Sequence, residues 1–179
     1  FDGNAQDFHI GLDDSADDLV IGKGSALGTT THMSFDENGQ VTKPLQCAFF
    51  INKSSNQSNI DTDGSNDLVV FDSERFDIGS NFASNTFTAP VTGRYIFILK
   101  LRLDAVDSAA NFYIPRITTS NASHLDIFNP DVGQDNDYWG ITHIVLADMD
   151  ANDTVAATLY QGGGTSQTDI EGDSTYTYF

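Results

Sequence analysis

The chain has 179 residues, enough for one domain plus a small extra segment, and its 39% hydrophobic residues, 13 Phe among them, can supply a core. The formal net charge of -18, from 26 acidic and 8 basic residues, excludes a nucleic-acid partner because phosphates require a basic surface. It also disfavours an anionic membrane surface, and the longest apolar runs are too short to span a bilayer, so no membrane insertion is expected.

The acidic residues are almost all aspartate, with 23 Asp against three Glu. Asp favours turns and disfavours helix interiors, whereas Glu favours helices, so this composition predicts an all-β chain. Cys47 is the single cysteine, which excludes an intrachain disulfide and a cysteine-based zinc site. Its apolar neighbours indicate a structural thiol rather than a nucleophile.

Residues 1–43 have shorter apolar runs and more turn residues than the rest of the chain. Apolar runs of three or four residues alternate there with Asp, Gly and Ser turns, as in residues 8–22. Strands this short cannot close a core within one chain, so they either decorate the following domain or intertwine with other copies. We predict a β-rich stalk over 1–43, a boundary at Lys43-Pro44 and a second domain over 44–179.

From residue 44 onward, apolar stretches alternate with loops rich in Asn, Asp, Gly and Ser. No convincing helix interrupts them, and strands at this spacing are typical of an antiparallel sandwich or jelly roll. The predicted strands lie near 46–52, 68–72, 85–89, 94–103, 111–118, 124–128, 138–147, 154–161 and 175–179.

The predicted strand 94–103 carries apolar side chains on both faces. Alternation places every second residue from Tyr95 to Leu103 on one face. The other face begins with Ile96 and Ile98 and continues with basic residues. A single sandwich leaves its outer face polar, so either a neighbouring subunit or a loop of the same chain packs over the two isoleucines.

Residues 87–97 contain a Phe, five residues, and then Gly-x-Tyr-x-Phe, at Phe87, Gly93, Tyr95 and Phe97. This pattern resembles the signature of the complement C-one-q globular head, a relative of the tumour-necrosis-factor jelly rolls. The resemblance covers about residues 45–179. Beyond the signature it includes Phe71, Asp77, Phe82, the stretch 144–155 and the ending 176–179.

The resemblance implies an antiparallel jelly-roll sandwich that assembles as a homotrimer. Ile96 and Ile98 would then lie at the trimer interface, and His143, on the predicted strand 138–147, would lie close to the threefold axis. Leu99 departs from the pattern, since the family usually has Phe or Tyr there. The resemblance identifies the fold rather than the task.

Residues 10–22, followed by the turn at 34–41, resemble repeats of bacteriophage tail-fibre and other virion appendage proteins. This second resemblance implies a structural virion protein, a fibre head whose partners are other virion structural proteins and a host-surface glycan. Two alternatives stay open: a secreted calcium-dependent complement-like recognition module of a cell, and a capsid-decorating fibre without a ligand. The first reading places the protein in the virion and the second outside a cell.

No catalytic pattern stands out. The chain has no Gly-x-Ser-x-Gly elbow, and its four histidines lie in four separate segments without a His-x-x-x-His pair. We therefore expect no enzymatic activity and no certain cofactor.

Calcium is the one cofactor that the sequence suggests. Two loops, 61–67 and 148–153, concentrate oxygen ligands of the kind that calcium prefers, although no Glu closes either loop as in an EF-hand. Solvated acidic turns are the alternative. The candidate ligands are Asp61, Asp63, Asp67, Asp148, Asp150 and Asp153.

Two further loops, 129–139 and 161–168, combine amide and hydroxyl groups with aromatic rings. Tyr138 and Trp139 could stack on a sugar, with Asp137 and Gln161 supplying polar contacts. The alternative is that Trp139 begins a strand and belongs to the core.

Overall fold

A computed structural model describes residues 2–179 and divides the chain into two compact units, one ending at Ala48 and the other comprising Phe49–Phe179. Residues 2–179 contain strands, turns and bends but no helix, which confirms the predicted all-β class. It follows that these residues contain no helical segment able to cross a membrane.

The described residues form fifteen strands. In chain order they are β1 (Phe8–Asp13), β2 (Asp18–Lys23), β3 (Thr31–Phe35), β4 (Val41–Thr42), β5 (Ala48–Asn52), β6 (Asp67–Leu68), β7 (Ser73–Ile78), β8 (Phe82–Ala83), β9 (Thr86–Thr88), β10 (Gly93–Val106), β11 (Phe112–Thr119), β12 (Ser123–Leu125), β13 (Asn136–Met149), β14 (Thr154–Gly162) and β15 (Asp169–Ile170).

The first unit is a four-stranded antiparallel meander in the order β1-β2-β3-β4. Aspartates shape its turns. The Asp13 carboxylate accepts the backbone N–H of Ser15, and the Asp36 carboxylate accepts the N–H groups of Asn38 and Gln40. The excess of Asp over Glu thus serves turn formation, as the composition predicts.

The second unit is an antiparallel jelly-roll sandwich of two layers. One layer contains β13, β10 and β15, and Tyr178 extends it by bridging Lys100 of β10 to Asn52 of β5, which pairs with β7. The other layer runs β12-β11-β14-β9-β8, with β6 also paired to β14. Neighbouring strands are mostly distant in sequence, which is typical of a sandwich with long crossover connections.

The two longest strands, β10 and β13, are each 14 residues long and pair from Gly93 opposite Met149 to Val106 opposite Asn136. Ala105, with a φ of 50°, is skipped in this register. The inward residues of β10 confirm the predicted alternation, since Phe97, Leu99 and two further leucines are at most 2% exposed.

Aromatic rings fill the end of the core where the sequence signature lies. Phe49 stacks on Phe87 at 5.0 Å between ring centroids, and Phe87 meets Phe97 edge-on at 5.6 Å. Asp77 positions this cluster, because its carboxylate accepts the backbone N–H groups of Asn81 and Phe82. The rings in the cluster are those of Phe49, Phe71, Phe82, Phe87, Tyr95, Phe97 and Phe179.

Two predicted strands differ from the structure. The region 68–72 forms only the end of β6, because the side-chain amide of Gln57 donates to the Leu68 carbonyl and accepts the Val70 N–H in place of a strand partner. Residues 177–179 pair through backbone hydrogen bonds, Phe179 with Ile51 and Tyr178 with Lys100, but they form a bridge at Tyr178 rather than a continuous strand over 175–179. The side-chain hydrogen bonds of Gln57 have no periodic signal in a sequence.

The Phe87→Ala variant tests the aromatic cluster. Phe87 is 1% exposed, so its truncation leaves a cavity and should lower the free energy of unfolding by about 3–5 kcal/mol. Phe76→Ala is the matched control. Its ring is 45% exposed and has Phe50 at 6.0 Å, so the loss should be about 1 kcal/mol. Urea denaturation measures both, and equal losses would contradict the proposed core.

Candidate assembly surface and binding loops

The outward face of the β10–β13 pair carries four exposed aliphatic side chains, which we call the head patch. Ile96 lies directly opposite Leu146, and Ile98 directly opposite Ile144. Their exposed fractions are 65%, 72%, 45% and 59% in that order. Directly opposed side chains in an antiparallel pair are close neighbours, so the four form one contiguous apolar surface.

The register of β10 against β13 explains this surface. Leu99 and Val145 on the inward face are buried in the sandwich, and alternation then directs the residues beside them outward. The sequence predicted Ile96 and Ile98 but missed Ile144 and Leu146. The same period of two in residues 144–149 would have identified them.

Charged groups flank the head patch. At one end Arg94 Nε lies 3.0 Å from an Asp148 carboxylate oxygen, and both side chains are more than 80% exposed. At the other end the Arg102 guanidinium lies 4.4 Å from the centre of the Tyr138 ring and 4.1 Å from that of Tyr176. It also pairs with a carboxylate, that of Glu171.

Basic residues are concentrated on this face. Residues 49–179 contain only six Lys and Arg, and three of them, Arg94, Lys100 and Arg102, occupy outward positions of β10. Like charge opposes association between copies of a chain that carries a net charge of -18. An outward face with three basic side chains repels other copies less than the acidic remainder of the chain does.

His143 does not share the face of Ile96 and Ile98. It lies opposite Leu99 in the register, on the inward side of β13, and is half-buried. Its Nε2 lies 3.2 Å from the carbonyl oxygen of His124 in β12, which it contacts as a hydrogen-bond donor. The prediction that grouped His143 with the two isoleucines is corrected, because adjacent strand positions face opposite ways.

Trp139 and Tyr138 likewise point to opposite sides of β13. The Trp139 ring stacks on Phe128 at 4.9 Å, and Phe128 stacks on Tyr113 at 5.2 Å, so Trp139 is packed within the chain. Tyr138 is 62% exposed and contacts Arg102. The two rings cannot stack together on one sugar, which corrects that part of the ligand prediction.

Gln161 is also unable to contact a ligand, because it is buried. Its side chain is fully buried, and its amide nitrogen donates to the carbonyl oxygens of Gly163 and Thr165. It holds the glycine turn that follows β14 from inside. Of the four predicted ligand residues, Asp137 and Tyr138 remain exposed at the start of β13.

Asp107, which the sequence did not single out, anchors the loop at 163–168. Its side chain is 3% exposed, and its carboxylate accepts the Ala109 N–H and both the N–H and the hydroxyl of Thr165. Burial alone would raise the pKa of Asp107, but the hydrogen bonds from Thr165 and Ala109 outweigh it and lower the pKa below its ordinary value.

The six predicted calcium ligands do not gather into a metal site. Asp67 accepts the Asp61 N–H, and the Asp153 carboxylate accepts the N–H of Asp150, the hydroxyl of Ser120 and the amide of Asn121. Residues 2–179 contain no group of three or more His, Cys, Asp or Glu side chains placed to hold a metal ion. Of the other predicted ligands, Asp63 accepts the N–H of Ser65, and Asp148 accepts a hydrogen bond from Arg94. The carboxylates of these loops thus bind groups of the protein itself, as in aspartate-capped turns.

The chain resembles known proteins in structure and not in sequence. No family model matches the chain, and no curated protein matches it. Among solved structures the chain is similar to the globular domain of zebrafish complement 1qA protein, with a TM-score of 0.46 and 15% identity over 75% of this chain and 96% of that one.

The Asp107→Asn variant tests the loop anchor. Because the folded pKa lies below the unfolded one, the stabilisation is fully present above pH 3.8 and is lost as the pH falls through the folded pKa. The variant should therefore have a lower melting temperature than the wild type at neutral pH, and the difference between the two melting temperatures should shrink below pH 3.8. Thermal unfolding followed by circular dichroism measures this difference. Asp137→Asn, at an exposed position, is the control, and a difference independent of pH would contradict the anchor.

Proposed function

We propose that this chain is a homotrimeric, non-enzymatic head that assembles by burying the head patch between copies. The observation that carries the proposal is the pair of cross-strand contacts Ile96–Leu146 and Ile98–Ile144, four aliphatic side chains exposed by 45–72% on an outward sheet face. Contiguous apolar surface of this kind marks an interaction site. The number of copies, three, is what the resemblance to complement heads implies.

The energy available from the head patch is of the right order. Its exposed fractions equal somewhat more than two whole side chains, so complete burial contributes about 4–7 kcal/mol per copy. Association costs about 4–15 kcal/mol in lost translational and rotational freedom. Each copy in a trimer contributes its own patch, and the Arg94–Asp148 and Arg102–Glu171 pairs at the rim reduce the net charge there.

As the place where this head works, we propose a virion fibre, where it would contact other virion proteins and a host-surface glycan. The resemblance of residues 10–22 to tail-fibre repeats supports this setting, together with a separate β-rich first unit. For the glycan, the exposed Asp137 and Tyr138 are the remaining candidate contacts. Threefold density on a virus particle supports the fibre against a secreted module, and glycan binding by the isolated protein supports it against a ligandless decoration fibre.

The calcium-dependent alternative makes a different prediction about assembly. An assembly bridged by calcium dissociates when a chelator is added, whereas one held by the head patch keeps its mass. Within residues 2–179 no three His, Cys, Asp or Glu side chains gather around a possible metal position, which favours the head patch.

The Leu146→Lys variant tests the proposed function. Leu146 is 72% exposed, so a lysine there is tolerated by a single folded copy but places a charge inside the proposed interface. Light scattering should give about three times 19.4 kDa for the wild type and a mass near 19.4 kDa for the variant. Val132→Lys, at another exposed apolar position, is the control and should stay trimeric. A trimer that survives Leu146→Lys, or a monomeric wild type, would refute the proposal.

A further inference from the structure

The register of the first unit places nearly all its large apolar side chains on one face of the β1–β4 sheet, which we call the stalk face. Leu12 lies opposite Leu19, and Leu19 lies opposite Phe35, so the face continues across the strands. Its members are Phe8, Ile10, Leu12, Leu19, Ile21, Lys23, Met33, Phe35 and Val41.

No side chain of the stalk face is buried. Within residues 2–48 the one buried apolar side chain is Val20, which belongs to the opposite face. There the loop after β2 folds back over the sheet, bringing Leu27 against Gly11. The loop thus packs over the face that carries fewer apolar side chains.

The stalk face is almost free of charge although its unit is acidic. Residues 1–48 contain eight acidic and two basic residues, yet no carboxylate of the strands lies on the face, where the ionisable groups are Lys23 and His32, whose ring meets that of Phe8 edge-on at 6.2 Å. The two carboxylates within the strands, Asp13 and Asp18, face each other on the opposite side. A contact between identical acidic chains requires a face without carboxylates, because like charges repel.

The area of the stalk face matches that of a stable interface. The exposed fractions are 44% for Phe8, 56% for Ile10, 74% for Leu12, 40% for Leu19 and 49% for Val41. At about 150–200 Å² for a large apolar side chain, they amount to roughly 400–500 Å² of apolar surface. A stable interface buries about 800 Å² per partner, of which some 60% is apolar, or roughly 500 Å².

The unpaired edge of the sheet is a second reason to expect that another chain covers this unit. β1 is an edge strand of six residues that pairs only with β2, and its outward apolar residues alternate with small or polar ones. A long exposed edge with exposed apolar side chains is prone to aggregate unless another chain or segment covers it.

We propose that the stalk face is buried against the stalk faces of other copies of this chain, forming a second interface separate from the head patch. The inference rests on the proposed function in one respect, since a head trimer holds the three first units at high effective concentration. The occupant is a second copy because the face combines low charge with an apolar area typical of self-association.

Hydrogen–deuterium exchange of the full chain tests this interface. Leu12→Lys changes the most exposed aliphatic residue of the face, so a single copy tolerates it, while the interface acquires a buried charge. Amides of residues 8–35 should exchange about tenfold faster or more than in the wild type. Asn38→Lys adds the same charge at an exposed turn off the face and should leave exchange unchanged, as should the apolar Leu12→Phe. Equal exchange in Leu12→Lys and wild type would overturn the inference.

The Leu146→Lys variant separates this inference from the proposed function. If it yields monomers in which residues 8–35 exchange as fast as in Leu12→Lys, copies cover the stalk face and both proposals hold. If the monomers keep slow exchange, the chain covers the face without assembly, and the inference fails while the proposed function stands. If Leu12→Lys lowers the mass measured by light scattering and Leu146→Lys does not, the stalk face holds the copies together and the proposed function fails.

Discussion

The pairing of β10 with β13 is the constraint on which the rest of the second unit depends. Over 14 residues it directs one set of side chains into the sandwich and the alternate set outward. A shift of one residue would exchange the two sets, so the packing of Leu99 and Val145 inside also determines the exposure of Ile98 and Ile144 outside. Core and candidate interface are thus two consequences of one register.

The carboxylates of the chain lie mostly away from two apolar surfaces, the head patch and the stalk face. Several carboxylates accept hydrogen bonds from backbone N–H groups in turns and loops, namely those of Asp13, Asp36, Asp77 and Asp107. None of the four lies on the head patch or the stalk face. A high net charge keeps such a chain from associating at random, since most of its surface repels other copies. Association is then directed to the few faces where repulsion is weak.

The sequence predicted those features that follow from alternation and from local turn chemistry. Strand 94–103, the buried leucines within it and the exposed Ile96 and Ile98 all follow from a period of two. The Phe87–Phe97 pattern also located the aromatic cluster of the core, because its rings alternate onto the inward face.

The failures of prediction concern side chains whose direction depends on tertiary contacts. Adjacency in the sequence groups Trp139 with Tyr138, yet alternation along a strand directs their side chains to opposite sides. The sequence places Gln161 in a loop, but its side chain is buried because its amide nitrogen donates to two carbonyl groups of the glycine turn. No local pattern distinguishes a buried amide that closes a turn from an exposed one that meets a ligand.

Hydroxyl-radical footprinting of the wild-type chain measures most directly whether the head patch is buried between copies. The account predicts slow oxidation of Ile96, Ile98, Ile144 and Leu146 at concentrations where the chain is assembled, with rates rising on dilution. Ile127, which is 57% exposed and lies off the patch, should oxidise quickly at every concentration. Oxidation of the four patch residues as fast as that of Ile127 under assembled conditions would contradict the account.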